Sequence, residues 1–266
     1  MILTVTDPAD DRLADYRDLK EHRLRADSGK FIAESEGVVR KLLASPLAVE
    51  SLLLTAPHLA RLQPELPEHV PVYVTDQAVM DGVAGFHVHR GCLAVGRRPS
   101  GARLPGNART VVVLEDLVDV DNLGAMVRNA AAFGADALLL SPRAADPYYR
   151  KAIRVSMGSV FTMPIVRAER WPDDLLALKQ QGLSLVAAVL DEAALPLGRF
   201  TWPARVALVL GSEGPGLTTA AQSVCDHRVT IPMARDRADS LNVATAGALF
   251  LYDRVRDPER VPSPPR

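Results

Sequence analysis

Uninterrupted apolar runs, rather than alternating ones, mark the second half of the chain. Thr110-Val-Val-Val-Leu114, Ala137-Leu-Leu-Leu140, Leu183 to Val189 and Val206 to Leu210 are hydrophobic at nearly every position. Successive residues of a strand point to opposite faces, so such runs predict strands buried on both sides, as in a mostly parallel sheet covered by helices. Val160 to Val166 is expected as a further strand. Between the runs, helical spacing predicts helices over Leu123–Phe133, Pro172–Gln181 and about Leu241–Val255. In the first half the predicted elements are helical at Pro8–His22 and Glu34–Leu43, extended at Val49–Leu54, Val70–Val74 and Cys92–Val95, with a short helical turn at Gln77–Met80. This alternation predicts a small α/β module ahead of a doubly wound α/β domain.

The break between the two falls at Arg97-Arg-Pro-Ser-Gly-Ala-Arg-Leu-Pro-Gly-Asn-Ala108, which has two prolines, two glycines and no long apolar run. The expected organisation is a first domain over 1–98, a linker over 99–109, a main domain over 110–257 and a frayed tail over 258–266. A length of 266 residues agrees with about two domains at roughly 150 residues each.

Composition narrows the class. The chain is 48% hydrophobic and 24% charged, which excludes a disordered polymer. Its two cysteines, Cys92 and Cys225, are far apart and outside any CxxC, which argues against a disulfide scaffold or zinc module and fits a reducing compartment. No basic flank leads into an apolar stretch at the start, and Ser240–Tyr252 is too short to cross a bilayer. The expectation is therefore a cytoplasmic protein with no membrane segment and no metal. Thirty-one basic against 32 acidic residues give a net charge of −1. Charge is unevenly placed, however: Arg90, Arg97, Arg98, Arg103 and Arg109 lie in a stretch with no acid. A local basic surface is all that nucleic-acid binding requires.

Ligands of parallel sheets bind in loops beyond the carboxyl ends of strands, and three such loops carry unusual polar residues. The first runs from Glu115 through Asn122 to Arg128 and Asn129. Asn122 could cap the following helix. Arg128 lies about two turns into a helix otherwise built of Ala, Met, Val and Phe, where a guanidinium needs an acidic partner or an anionic ligand. The second, Leu210-Gly-Ser-Glu-Gly-Pro-Gly-Leu217, matches neither a Walker loop nor GxGxxG; its glycines permit close backbone approach, and Glu213 adds a carboxylate. The third runs from Ile231 through Ser240 to Asn242. Capping accounts for Ser240 but leaves Asn242 unexplained. His87 and His89 have no third metal ligand nearby, and Cys92 and Cys225 have no adjacent base, so all four are expected to be structural.

The three loops, in this order, resemble the three motifs of the SpoU (TrmH-type) family of RNA ribose methyltransferases, within the SPOUT superfamily. The first motif corresponds to Asn122-Leu-Gly-Ala-Met-Val-Arg128-Asn-Ala-Ala-Ala-Phe-Gly134. The second corresponds to Leu208-Val-Leu-Gly-Ser-Glu213-Gly-Pro-Gly-Leu217, and the third to Ile231-Pro-Met233 with Ser240-Leu-Asn242-Val. Lys151 to Pro164 resembles the family segment between the first two. Residues 109–257 carry the close resemblance; residues 1–98 resemble, more loosely, a ribosomal-protein-L30e-like substrate-binding domain. The chain departs from the family pattern at Val120-Asp121, where Pro-Gly is common, and at Arg235-Asp-Arg-Ala-Asp239, where a smaller, glycine-containing loop is common.

The resemblance implies a trefoil-knotted SPOUT domain, a homodimer, and transfer of a methyl group from S-adenosyl-L-methionine to a ribose 2′-hydroxyl in rRNA or tRNA. It implies cofactor contacts at Leu210, Gly211, Glu213, Gly214, Ile231, Met233 and Leu241. It gives catalytic roles to Asn122, Arg128, Glu213, Ser240 and Asn242, with Arg128 positioning phosphate and hydroxyl, and Glu213, Ser240 and Asn242 ordering Arg128 and Asn122. A different class, a catalytically silent RNA-binding or ribosome-assembly factor, would not need Arg128, Glu213, Ser240 and Asn242 together. A dinucleotide-dependent oxidoreductase would need GxGxxG after the first strand of the main domain, where Asn122-Leu-Gly-Ala stands instead.

Overall fold

The computed structural model describes residues 1–17, 19, 29–88, 91–234 and 236–256. Lys20–His22 of the first expected helix, His89, Arg90, Arg235 and the expected tail lie outside the described residues. In chain order the strands and α-helices are β1 (Ile2–Thr4), β2 (Lys30–Glu34), α1 (Glu36–Leu43), β3 (Val49–Thr55), α2 (Ala56–Leu62), β4 (Val72–Thr75), α3 (Gln77–Ala84) and β5 (Cys92–Arg97). They continue with β6 (Thr110–Leu114), α4 (Val120–Ala132), β7 (Ala137–Leu140), α5 (Arg150–Val155), β8 (Ile165–Arg167), α6 (Asp173–Gln180) and β9 (Ser184–Ala188). The last are β10 (Leu195–Pro196), β11 (Val206–Leu210), α7 (Thr219–Val224), β12 (His227–Thr230) and α8 (Val243–Val255).

Two compact units result, one of Met1–Gly101 with Pro147–Thr162, the other of Ala102–Asp146 with Met163–Arg266. The first break falls inside the expected linker. The second unit, however, gives up the segment around α5 to the first.

The first unit holds a five-stranded sheet in the order β1-β4-β3-β5-β2, with β5 antiparallel to both β3 and β2. Leu13, Tyr16, Ile32, Leu53, Met80 and Leu93 belong to its buried core. The expected Pro8–His22 helix is instead a 3-10 turn, Asp11–Tyr16, followed by extended Arg17. Its buried residues are Leu13 and Tyr16, three apart, the spacing that a 3-10 turn places on one face. Glu34 closes β2 rather than opening a helix. Gln77 begins an eight-residue helix, not one turn, because Asp76 caps it by accepting from Val79 N.

Pro147–Thr162 packs on β2. Phe31 meets Tyr148 and Phe161 at centroid distances of 5.4 and 5.3 Å. Arg150 donates to the buried Glu34 carboxylate at 2.5 Å and lies over the Phe86 ring. This packing corrects the expected Val160–Val166 strand: Val160 and Phe161 are buried in a 3-10 turn, and pairing starts only at Ile165. An apolar run reports burial, not the shape of the backbone that is buried.

The second unit holds a seven-stranded sheet ordered β10-β12-β9-β11-β6-β7-β8, with every pair parallel. This is the architecture expected from the continuous apolar runs. Because the strands run the same way, Leu114, Ala188, Leu210 and Thr230 end at one edge, and the loops that follow them share that edge. Helices α4 and α8 pack closely; a side chain at Gly247 would overlap the sulfur of Met126. Buried Arg254 ties α8 to the sheet by donating to Thr110 Oγ1 at 2.8 Å and to the carbonyls of Arg109, Pro203 and Ala204.

Candidate active site

A cavity of about 330 Å³ opens at the carboxyl edge of the parallel sheet, within the usual range for small-molecule sites. Four stretches line it: Ala188–Leu190, Leu210–Gly216 without Pro215, Ile231 with Met233, and the chain from Ser240 into α8 as far as Phe250. All seven residues expected at the cofactor line it, namely Leu210, Gly211, Glu213, Gly214, Ile231, Met233 and Leu241. Sequence reasoning passed over Ala188, Val189, Leu190, Ala246 and Phe250. The end of the β9 run was the available signal for the first three, because strand ends at this edge are where ligands sit.

The glycine loop is built by a close backbone crossing. Ser212 and Gly216 form an isolated antiparallel bridge, which folds the loop back on its own start. A Cβ on Gly211 would come far closer to the carbonyl carbon of Gly216 and the nitrogen of Leu217 than van der Waals contact allows. Only glycine fits there. The fold-back leaves the Glu213 side chain exposed at the tip.

One residue from each motif meets there. Glu213 Oε1 accepts from Asn122 Nδ2 at 2.5 Å and from Asn242 Nδ2 at 3.1 Å, and Asn242 Nδ2 also donates to Asn122 Oδ1 at 2.8 Å. Asn242 performs a second task as well. Its Oδ1 accepts from Ala244 N and Thr245 N and so caps α8. Two expectations change accordingly. Asn242, not Ser240, is the cap, and α8 starts at Val243 rather than Leu241. Likewise α4 starts at Val120 and is capped by Asp119, whose Oδ1 accepts from Asp121 N and Asn122 N. Asn122 sits in the first turn with its amide directed to Glu213. Of the departures from the family pattern, Val120-Asp121 thus forms the helix start, and residues 236–239 are exposed.

Arg128 is exposed on α4, which corrects the expectation of a guanidinium among apolar residues. Asp121, Ala125, Arg128 and Ala132 recur at helical spacing along the less buried stripe, opposite the buried Leu123, Met126, Val127 and Ala130. Among the described residues its side chain makes no hydrogen bond or ion pair. The expected ordering of Arg128 by Glu213, Ser240 and Asn242 is therefore not present among the described residues. Ser240 lines the cavity and is exposed. Asn122 and Arg128 are not lining residues.

Of the remaining candidates, His89 lies outside the described residues and the other three are structural. His87 pairs with Asp81 at 2.6 Å. Burial pushes the Cys92 and Cys225 thiols up to about 12, away from the reactive thiolate. Among the described residues no group of His, Cys, Asp and Glu could hold a metal ion, and no helix is long and apolar enough to cross a membrane.

Comparison with known proteins gives this geometry its context. A family model, the SpoU rRNA methylase family, matches residues 109–252. A tRNA/rRNA methyltransferase of Mycobacterium bovis is 44% identical over 95% of this chain and 91% of its own length. The 23S rRNA (guanosine(2553)-2′-O)-methyltransferase RlmP of Bacillus subtilis is 29% identical over 91% of this chain and 94% of its own. Among solved structures, the SpoU methyltransferase AviRb of Streptomyces viridochromogenes in complex with the cofactor AdoMet superposes with a TM-score of 0.78 at 26% identity, covering 93% of this chain and 97% of AviRb.

Proposed function

The chain belongs to the SpoU rRNA methylase family, and from that premise we propose that it methylates a ribose 2′-hydroxyl of ribosomal or transfer RNA with S-adenosyl-L-methionine in the cavity described above. The observation that carries the reading is the convergence of Asn122, Glu213 and Asn242, one from each motif, beside a cavity lined by all seven expected cofactor residues.

The residues fit this cofactor. Leu210, Ile231, Met233, Leu241 and Phe250 supply apolar wall for an adenosyl group. Among the described lining residues Glu213 is the only charged one, which favours a ligand of net positive charge such as a sulfonium carrying an amino-acid group. The absent side chain at Gly211 leaves room for the tight fold-back of the loop. When bound, S-adenosyl-L-methionine supplies the electrophilic methyl group.

The protein's task is then orientation, because a ribose hydroxyl is a poor nucleophile that must be held in line with the methyl. Arg128 is assigned to the RNA. An exposed guanidinium with no protein partner among the described residues suits a bidentate grip on the phosphate beside the target ribose. An arginine is cationic at working pH, so its role is to position phosphate and hydroxyl rather than to accept the proton. Asn122, Glu213 and Asn242 hold the three loops together, and Ser240 completes the rim.

The same reading makes the protein a cytoplasmic homodimer, since RNA is its substrate and α8 exposes Leu249 and Tyr252, at 41% and 57%, on one face beside Phe133. The test is methyl transfer from labelled S-adenosyl-L-methionine into unmodified rRNA and tRNA pools, with nucleoside analysis and Arg128→Ala alongside. A 2′-O-methylnucleoside made by the wild type alone supports the proposal. Wild-type activity in Arg128→Ala removes the role assigned to Arg128. Absence of both transfer and cofactor binding favours the silent RNA-binding factor.

A further inference from the structure

Glu115 is 1% exposed, among the most deeply buried charged residues of the second unit, and it lies outside the cavity lining. Three donors satisfy it. Trp171 Nε1 and Thr218 Oγ1 donate to Oε1 at 2.5 and 2.7 Å, and Thr218 N donates to Oε2 at 2.8 Å. Its own backbone N–H donates to Leu210 O at 2.9 Å. Leu210 and Thr218 are the residues on either side of Gly211–Leu217. A single residue at the end of β6 therefore holds both ends of the glycine loop.

The chemistry of the contact requires a carboxylate. The Thr218 hydroxyl already accepts from Ala221 N at 3.1 Å as the cap of α7, so its proton is directed to Glu115. Both oxygens of Glu115 consequently face donors. A glutamine would place its NH₂ against one set of them, donor against donor, and leave buried N–H or O–H groups without an acceptor. The Ser212–Gly216 bridge and the Glu213 bonds to Asn122 and Asn242 act within the loop and at its exposed tip, whereas Glu115 reaches Leu210 and Thr218 at its two ends.

We infer that Glu115 is a positioning residue for cofactor binding: by gripping Thr218 while bonded to Leu210, it fixes the span of the glycine loop that walls the cavity. This rests on the reading of the cavity as the S-adenosyl-L-methionine site. The carboxylate acts through the loop and touches neither methyl donor nor RNA. Trp171, joined to the same oxygen as the Thr218 hydroxyl, brings the chain just before α6 into the clamp and provides a spectroscopic reporter.

The experiment uses the full chain as wild type, Glu115→Gln, Thr218→Val and the double variant. S-adenosyl-L-methionine is titrated by calorimetry, steady-state kinetics are run on the RNA pool that accepts methyl, and amide hydrogen exchange of residues 211–218 is followed in the free protein. Glu115→Gln is expected to weaken cofactor binding by about tenfold, with most of the kinetic loss in the KM for cofactor rather than in kcat. The double variant should be no weaker than about the worse single one, because both changes break the same clamp. In a Trp202→Phe background, the Trp171 fluorescence change on cofactor binding should be lost in Glu115→Gln. A merely structural role lowers the thermal midpoint but leaves the KM and the fluorescence change as they are. Wild-type cofactor affinity in Glu115→Gln, or additive effects of the two changes, overturns the inference. Should the wild type itself not bind cofactor, the functional reading fails; faster exchange at 211–218 in Glu115→Gln then still supports the clamp, and unchanged exchange overturns it.

Discussion

Asn242 Nδ2 donates to Asn122 Oδ1 at 2.8 Å across 120 residues of chain, while Asn242 Oδ1 caps α8. The two halves of one amide group thus serve two purposes, and a substitution can separate them. Asn242→Ser keeps a capping oxygen but removes the amide, so stability should hold while methyl transfer falls. Asn242→Ala loses both and should in addition cost about 1 kcal/mol in unfolding free energy. Urea unfolding beside a methyl-transfer assay checks this; full activity in the serine variant removes the cluster from the mechanism.

Gly211→Ala should disable the site at its foundation. The added Cβ overlaps backbone of Gly216 and Leu217, which cannot rotate away as a side chain can. The loop must open, with an expected destabilisation of roughly 1–3 kcal/mol and loss of measurable cofactor binding. Calorimetric titration with S-adenosyl-L-methionine at wild-type affinity would contradict the fold-back as the source of the wall.

Acid should weaken the turn after β6. The Arg143 guanidinium holds the Asp116 carboxyl below its usual value, against the opposing effect of partial burial and with help from Ser141. A carboxyl lowered in the folded state contributes stability above its unfolded pKa, near pH 4, and that contribution is lost as pH falls through the lower folded value. The stability difference between wild type and Asp116→Asn should therefore be present at pH 6 and shrink below about pH 4. Urea midpoints across this range measure it; a difference that grows on acidification has the wrong sign.

Glu34→Ala should destabilise the first unit by leaving Arg150 without its acceptor. Glu34 is buried and Arg150 is held over Phe86, so a loss of about 2–4 kcal/mol is expected, toward the lower part of the range for a broken buried pair because Arg150 keeps some solvent contact. Hydrogen exchange should localise the loosening to β2 and Pro147–Thr162. Protection of α5 unchanged from wild type would show that the pair does not hold that segment.

The parallel-sheet runs were legible because burial on both faces leaves no polar alternation, and β6, β7 and β11 have the bounds that their apolar runs predict. The starts of α4 and α8 were less legible. Several residues in each approach could cap, and which one does depends on where its side chain is otherwise engaged: Asp119 is available, while the Asn122 amide is directed to Glu213. The clamp at Glu115 carried no sequence signal at all, since Trp171 and Thr218 are 56 and 103 residues away.

By itself, the sequence determined the α/β class and the identity of the polar residues beyond the strand ends. Those follow from hydrophobic period and from residue chemistry, which are local properties. Only the tertiary structure decided that Pro147–Thr162 belongs with the first unit, that Arg128 faces solvent, and that Asn122, Glu213 and Asn242 share hydrogen bonds. Each of these depends on which surfaces meet when distant segments pack, and a local pattern records that a residue is to be buried or bonded without recording by what.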